Sequence, residues 1–186
     1  MKIVVLGDSL SSGYGLPSNS SFPDQLEAAL RQHGYQINVI NAGTSGDTSA
    51  GGLARLDWSL ADQPDLLIIE LGANDALRGL DPAKTKKNLA TILTRLRTAG
   101  VQPLLTGMKA PRNLGRNYYT KFDRLYSDLA KEYKVPFYPF FLTGVAGNRA
   151  LNQGDGIHPT VDGIKAIVQG ILPLVITVLK TMPATD

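Results

Sequence analysis

The 186-residue chain is 43% hydrophobic and 19% charged, proportions that predict one globular domain spanning residues 1–186 with a core of its own. The absence of cysteine excludes a disulfide framework, a thiolate zinc site and a cysteine nucleophile together. The net charge of +3 comes from scattered groups such as Lys84, Lys86 and Lys87, Arg112 and Arg116, and Lys131 and Lys134, so no nucleic-acid partner is expected.

Ile3 to Leu6 are four successive apolar residues, which predicts a strand buried on both faces; Gly7 ends it and delivers Asp8 and Ser9 to its carboxyl end. Residues 10–19, rich in Gly, Ser and Pro, read as a loop. Ser21 as N-cap, Pro23 in the first turn and Asp24 at its end open a helix that Gly34 stops. Residues 37–43 form a second strand, and 44–48 turn into a helix over 50–61. Leu66 to Leu71 is the third strand, ended by Gly72-Ala73-Asn74-Asp75. Asp81-Pro82 caps a helix reaching Gly100, and residues 101–108 are the fourth strand. A polar loop over 109–118 leads to a helix ending near Lys134, followed by a fifth strand over 135–141 and a loop over 143–154.

The last helix begins after Pro159, and its stretch from Ile164 to Leu179 is strongly apolar. Lys165, Gln169 and Pro173 interrupt it, and it falls short of the ~20 residues a membrane span needs. A core helix kinked or broken at Pro173 is the expectation, with no integral membrane segment. No charged and apolar leader opens the chain, which as it stands reads as cytoplasmic, or as periplasmic or secreted if a leader has been removed.

Five alternations of strand and helix predict a doubly wound α/β fold, a three-layer α/β/α sandwich with right-handed crossovers. The favoured order of its parallel sheet is 2-1-3-4-5, the flavodoxin-like arrangement, whose switch point lies between strands 1 and 3. Ser9 and Asn74 would then border one crevice.

A serine hydroxyl becomes a useful nucleophile only beside a base, and the chain offers two histidines. His33 lies at a helix C-terminus, where an imidazole suits exposed carbonyls and the negative end of the dipole. His158, in Asp155-Gly156-Ile157-His158-Pro159, follows a loop at the carboxyl side of strand 5. An acid three residues earlier in a tight turn can reach Nδ1 and leave Nε2 to the serine, as in a Ser-His-Asp triad. The backbone N–H groups of Ser9 and Gly46 and the Asn74 amide are candidate oxyanion donors. Each of these residues also serves ordinary turn and cap chemistry. Leu77, Leu80, Met108 and Leu114, in the loops after strands 3 and 4, either face an acyl chain or anchor those loops inward.

Gly7-Asp8-Ser9-Leu10, Gly46-Asp47-Thr48, Gly72-Ala73-Asn74-Asp75 and Asp155-Gly156-Ile157-His158-Pro159 resemble, in order, the four sequence blocks of the SGNH or GDSL hydrolases. Within that family the chain looks most like the bacterial arylesterase and thioesterase/lysophospholipase group. The resemblance implies Ser9 as nucleophile, His158 as base and Asp155 as its orienting acid. It also implies Ser9, Gly46 and Asn74 as oxyanion hole, a small ester substrate, and no metal or organic cofactor. The serine is not in Gly-x-Ser-x-Gly, so an open site rather than a sharp nucleophile elbow is expected. The competing readings are a lysophospholipase or carbohydrate acetylesterase with the same site, and a non-catalytic flavodoxin-like binding domain.

Overall fold

The computed structural model describes residues 1–182. Five strands, β1 (Lys2–Gly7), β2 (Asn38–Gly43), β3 (Leu66–Glu70), β4 (Gln102–Thr106) and β5 (Phe137–Tyr138), pair in parallel in the order β2-β1-β3-β4-β5. This is the α/β sheet that the alternation of elements predicts. Ile3 to Leu6 of β1 and Leu66 to Ile69 of β3 are fully buried, as central strands covered on both faces must be. Each such side chain contributes about 1.5–3 kcal/mol by leaving water.

The described residues hold eight α-helices, seven between strands and the last after β5: α1 (Ser9–Ser12), α2 (Phe22–Gln32), α3 (Ser49–Ala54), α4 (Leu56–Ala61), α5 (Ala73–Leu77), α6 (Pro82–Thr98), α7 (Arg116–Tyr133) and α8 (Val161–Thr181). The step from β1 to β2 runs one way across the sheet and every later step runs the other. Right-handed crossovers therefore put α2 on one face and α3, α6 and α7 on the other. In accord with this, α2 packs on α8 while α6 packs on α3 and α7.

Several boundaries differ from expectation, each for a local reason. The loop expected from residue 10 begins with a helical turn, because Asp8 caps α1 by accepting the Leu10 N–H at 3.0 Å. The helix expected over 50–61 is two, with Arg55 between them at φ −105° and ψ 11°. The turn after β3 is helical as α5. The fifth strand shrinks to two residues because Pro136 and Pro139 bracket it without N–H donors. Pro103 is accommodated inside β4 because β5 reaches only Leu105 and Thr106.

The last helix is not broken at Pro173 but runs 21 residues with the proline inside it. Pro173 and Gln169 both lie on its exposed side, where the carbonyl deprived of a partner faces solvent. By length and composition α8 is apolar enough to cross a membrane, yet residues such as Ile164, Ile167, Ile171 and Val175 are spent on the core.

The start of α8 also fixes the loop before it. Thr160 caps the helix by accepting the Gly163 N–H at 3.2 Å, and its own N–H donates to the Leu151 carbonyl at 2.9 Å. A β-carbon on Gly163 would stand 2.1 Å from that same carbonyl oxygen. Gly163→Ala is expected to push α8 and the 151–160 loop apart, costing about 1–3 kcal/mol in urea unfolding, as overpacking does.

Candidate active site

Gly7 of β1 pairs with Gly43 of β2 and with Glu70 of β3, so three strands leave the sheet at one level. Ser9 starts α1 there, the loop after β2 carries Gly46, and Asn74 lies in the first turn of α5. The Arg55 guanidinium ties these segments together. It donates to the Gly7 carbonyl at 2.7 Å, to the Ala42 carbonyl and to the Asp47 carboxylate. Asp75, next to Asn74, turns inward instead and accepts from the Ser49 N–H at 2.7 Å and the Thr85 hydroxyl at 2.9 Å.

His158 arrives from the far end of the chain on the loop between the last 3-10 turn and α8. An isolated antiparallel bridge from Asn152 to Pro159 closes that loop, and the Gln153 N–H donates to the His158 carbonyl at 2.7 Å. Inside it, Asp155 Oδ1 accepts from the backbone N–H groups of Ile157 at 2.9 Å and His158 at 3.0 Å. Asp155 Oδ2 is 2.6 Å from His158 Nδ1, and His158 Nε2 is 2.9 Å from Ser9 Oγ. The His158 backbone N–H, the imidazole and the Ile157 N–H hold the Asp155 carboxyl down to about 2, so it is ionised and accepts the Nδ1 proton. Nε2 then carries the lone pair that faces the serine hydroxyl.

The Ser9 and Gly46 N–H groups have no hydrogen-bond partner among the described residues. The Asn74 amide nitrogen donates to Asp8 Oδ2 at 3.1 Å and to the Asp47 carbonyl at 2.9 Å. Two acceptors on that side decide which end of the amide is nitrogen. His33 stays apart, capping α2 with Nδ1 2.9 Å from the Ala29 carbonyl.

Beneath Ser9 lie two buried acids that sequence reasoning passed over. Burial raises the Asp8 carboxyl to about 6, against the hydrogen bonds from Leu10 and Asn74. Burial first, and the neighbouring Asp8 second, push Glu70 well above the usual carboxylate range. Glu70 Oε2 accepts from the Asp8 N–H at 3.1 Å and the Ser11 hydroxyl at 2.7 Å, while Oε1 has no partner among the described residues. Burial thus favours the protonated form of Glu70, whose charge would stand beside that of Asp8. Gly7 makes room for the pair, since a β-carbon there would stand 2.3 Å from Ser11 Oγ and 2.6 Å from Glu70 Oε2. Glu70 ends an otherwise apolar strand, the one sequence signal that marks it.

A cleft of about 550 Å³ opens beside Ser9, Asn74 and His158. Leu77 and Met108 line it; Leu80 and Leu114, expected with them, do not. The Leu80 carbonyl accepts the Tyr118 hydroxyl at 2.7 Å, and Leu114 sits part-exposed in the 3-10 turn over Arg112–Leu114. Phe140, Leu142 and Ile157 line the cleft without having been anticipated, the first two because they follow the shortened β5. Another cleft, of about 610 Å³, lies among residues such as Asp65, Arg97 and Gln102, at the amino ends of β3 and β4 and away from the serine.

A hydroxyl, imidazole and carboxylate in line at the carboxyl edge of a doubly wound sheet define the class of serine ester hydrolases to which this protein belongs. Within that class the chain belongs to the GDSL-like lipase/acylhydrolase family, whose model matches residues 5–166. It is 42% identical over 172 residues to esterase TesA of Pseudomonas aeruginosa, covering 92% of this chain and 86% of that protein. It is also 42% identical over 161 residues to thioesterase 1/protease 1/lysophospholipase L1 of Escherichia coli K12, covering 86% and 76% of the two chains. Among solved structures it superposes with TM-score 0.91 and 31% identity on the psychrotrophic esterase EstA from Pseudoalteromonas inhibited by monoethylphosphonate, covering 97% and 99%.

The Glu70 carboxyl binds its proton more tightly in the folded chain than unfolded. From about pH 4.5 upward the unfolded state therefore carries fewer protons than the native one, and stability falls as pH rises. Glu70→Gln keeps an oxygen for Asp8 and Ser11 but removes this slope. Its urea midpoint is expected to gain on wild type between pH 5 and pH 8; a constant difference across that range would contradict a proton held on Glu70.

Proposed function

We propose that the chain acts as one hydrolase domain that cleaves aryl and short-to-medium acyl esters through an acyl-serine intermediate. Ser9 is the nucleophile, His158 the general base and acid, and Asp155 the carboxylate that fixes the imidazole. The observation that carries this reading is the unbroken chain from Asp155 Oδ2 through the imidazole to Ser9 Oγ, at 2.6 Å and 2.9 Å.

In the first step His158 Nε2 takes the hydroxyl proton as Ser9 Oγ bonds to the ester carbonyl carbon. The unpaired N–H groups of Ser9 and Gly46 receive the negative charge that develops on the carbonyl oxygen, joined by the Asn74 amide as one of its two hydrogens turns from Asp8 Oδ2 or the Asp47 carbonyl to the oxyanion. As the carbon–oxygen bond to the leaving group breaks, His158 returns the proton to the departing oxygen. Water repeats the cycle on the acyl-serine. Asp155, with its carboxyl near 2, stays ionised throughout and faces the imidazolium each time it forms.

The apolar walls of the cleft, among them Leu77, Met108, Phe140 and Leu142, supply a slot for the acyl chain beside the nucleophile. Its volume of about 550 Å³ is that of an ordinary small-molecule site. The Escherichia coli relative named a thioesterase and lysophospholipase makes thioesters and lysophospholipids reasonable further substrates. The Ser9–His158 geometry serves their carbonyl carbons equally well.

Hydrolysis of p-nitrophenyl butyrate tests the proposal. Ser9→Ala and His158→Ala are each expected to lose at least about a thousandfold in kcat, with EDTA leaving the wild type unchanged. Asn74→Ala is expected to lose about a hundred- to a thousandfold, as the removal of an oxyanion donor does. Equal rates in wild type and Ser9→Ala would refute the assignment. For the acyl slot, Leu77→Ala should raise KM for the octanoate ester about three- to tenfold while leaving the acetate ester unaffected.

A further inference from the structure

Tyr14 stands over the imidazole. Its ring centroid lies 4.6 Å from that of His158 with the planes tilted by 40°, although 53% of the residue is exposed. An exposed aromatic side chain without a hydrogen bond on its hydroxyl has little reason to keep one position, but here the backbone is held. Gln153 Nε2 donates to the Tyr14 carbonyl at 2.8 Å and to the Pro159 carbonyl at 3.0 Å, and the Gln153 N–H donates to the His158 carbonyl. One side chain thus joins the turn after α1 to both ends of the histidine's own loop. Gly15 permits this approach: its φ is +71°, and a β-carbon there would lie 2.3 Å from Gln153 Oε1.

We propose that Tyr14 is a positioning residue for the reaction, its ring face stabilising the imidazolium that His158 becomes each time it removes a proton, and that Gln153 holds it there. The inference rests on His158 acting as the general base. The negative face of an aromatic ring attracts a cation within about 6 Å of its centroid. Neutral imidazole gains less from that face than imidazolium does, so the contact favours the transition state over the resting enzyme. The other groups that act on this ring are the Asp155 carboxylate on its own loop and Asp8 beneath α1, with Lys109 and Arg112 among the residues lining the cleft. Asp155, held down to about 2, acts through a constant charge, and Asp8, raised to about 6 by burial, through one that is lost as pH falls, whereas Tyr14 adds a polarised face on the solvent side without adding a titrating carboxylate.

The test compares Tyr14→Phe, Tyr14→Leu and Gln153→Ala with wild type on p-nitrophenyl butyrate. Phosphonylation of Ser9 by a p-nitrophenyl phosphonate ester is followed in parallel. Because Tyr14 is exposed and its side chain makes no hydrogen bond among the described residues, the two Tyr14 variants keep the fold, and circular dichroism verifies this for them and for Gln153→Ala, which loses two hydrogen bonds. Tyr14→Phe retains the ring face and is expected to stay within about twofold of wild type. Tyr14→Leu retains an apolar cover without a quadrupole and should lose about three- to tenfold in kcat with KM unchanged. Its acid limb in kcat/KM against pH should move to lower pH, because the protonated ring is less favoured. Gln153→Ala should reproduce the Tyr14→Leu profile. Wild-type kcat and an unmoved acid limb in Tyr14→Leu, or equal losses in Tyr14→Phe and Tyr14→Leu, would overturn the inference while leaving the triad intact. Failure of the phosphonate to label Ser9 in wild type would overturn both.

Discussion

Gly7, Gly43 and Glu70 stand side by side in register, so three backbone segments turn away from the sheet at the same height. Parallel pairing enforces this: a slip of one residue would send every side chain of a buried strand to the opposite face. Arg55 converts the shared height into a shared position by binding the ends of β1 and β2 and the carboxylate of Asp47. Asp47 then offers its carbonyl to Asn74, so the segment from β3 is joined to the one from β2. Four hydrogen bonds among five residues therefore suffice to assemble a nucleophile and its oxyanion donors from chain segments some thirty residues apart, an instance of rigid scaffolding carrying functional loops.

The interior beneath that platform is unusually polar for the centre of a sheet. Asp8 and Glu70 are both fully buried, and a second ionised carboxylate there would be costly without water. Their surroundings set the two apart: Asp8 is the member with N–H donors from Leu10 and Asn74, which favour its charged form, and Glu70 is the member with an oxygen left over. The Asp8 carboxyl lies close enough to the imidazole for His158 to ease its ionisation. Asp155 is the opposite case, a carboxylate near solvent whose ionisation is secured by two backbone N–H groups and the ring.

Much of this was legible beforehand because it follows from periodicity and turn chemistry. Ile3–Leu6 and Leu66–Ile69 are uninterrupted apolar runs, and Ser21 and Asp81-Pro82 are cap signals, so strand order and helix placement follow from few assumptions. Ser9, His158, Asp155, Gly46 and Asn74 occupy positions in four short blocks and meet near one cleft. What escaped was decided by tertiary partners. The one-turn helices α1 and α5 depend on Asp8 as a cap and on Gly72 at φ +114°, and neither is long enough to show a helical period. The interruption at Arg55 occurs where its guanidinium reaches three distant acceptors, a demand no local window contains. Leu80 and Leu114 resemble Leu77 in sequence context, yet Tyr118 and the Pro111 turn hold their segments outside the cleft.

Ser9 and His158 touch across 149 residues of chain. The loop that presents the imidazole is fastened by α8, which in turn rests on α2, so the hydroxyl gains its partner only when the last helix has docked. The sheet and its first four strands are complete in sequence long before that. During synthesis, which proceeds from the amino end, a nascent chain of this protein exposes a serine with no base. Its chemistry is withheld until the residues through α8 have been made and have docked.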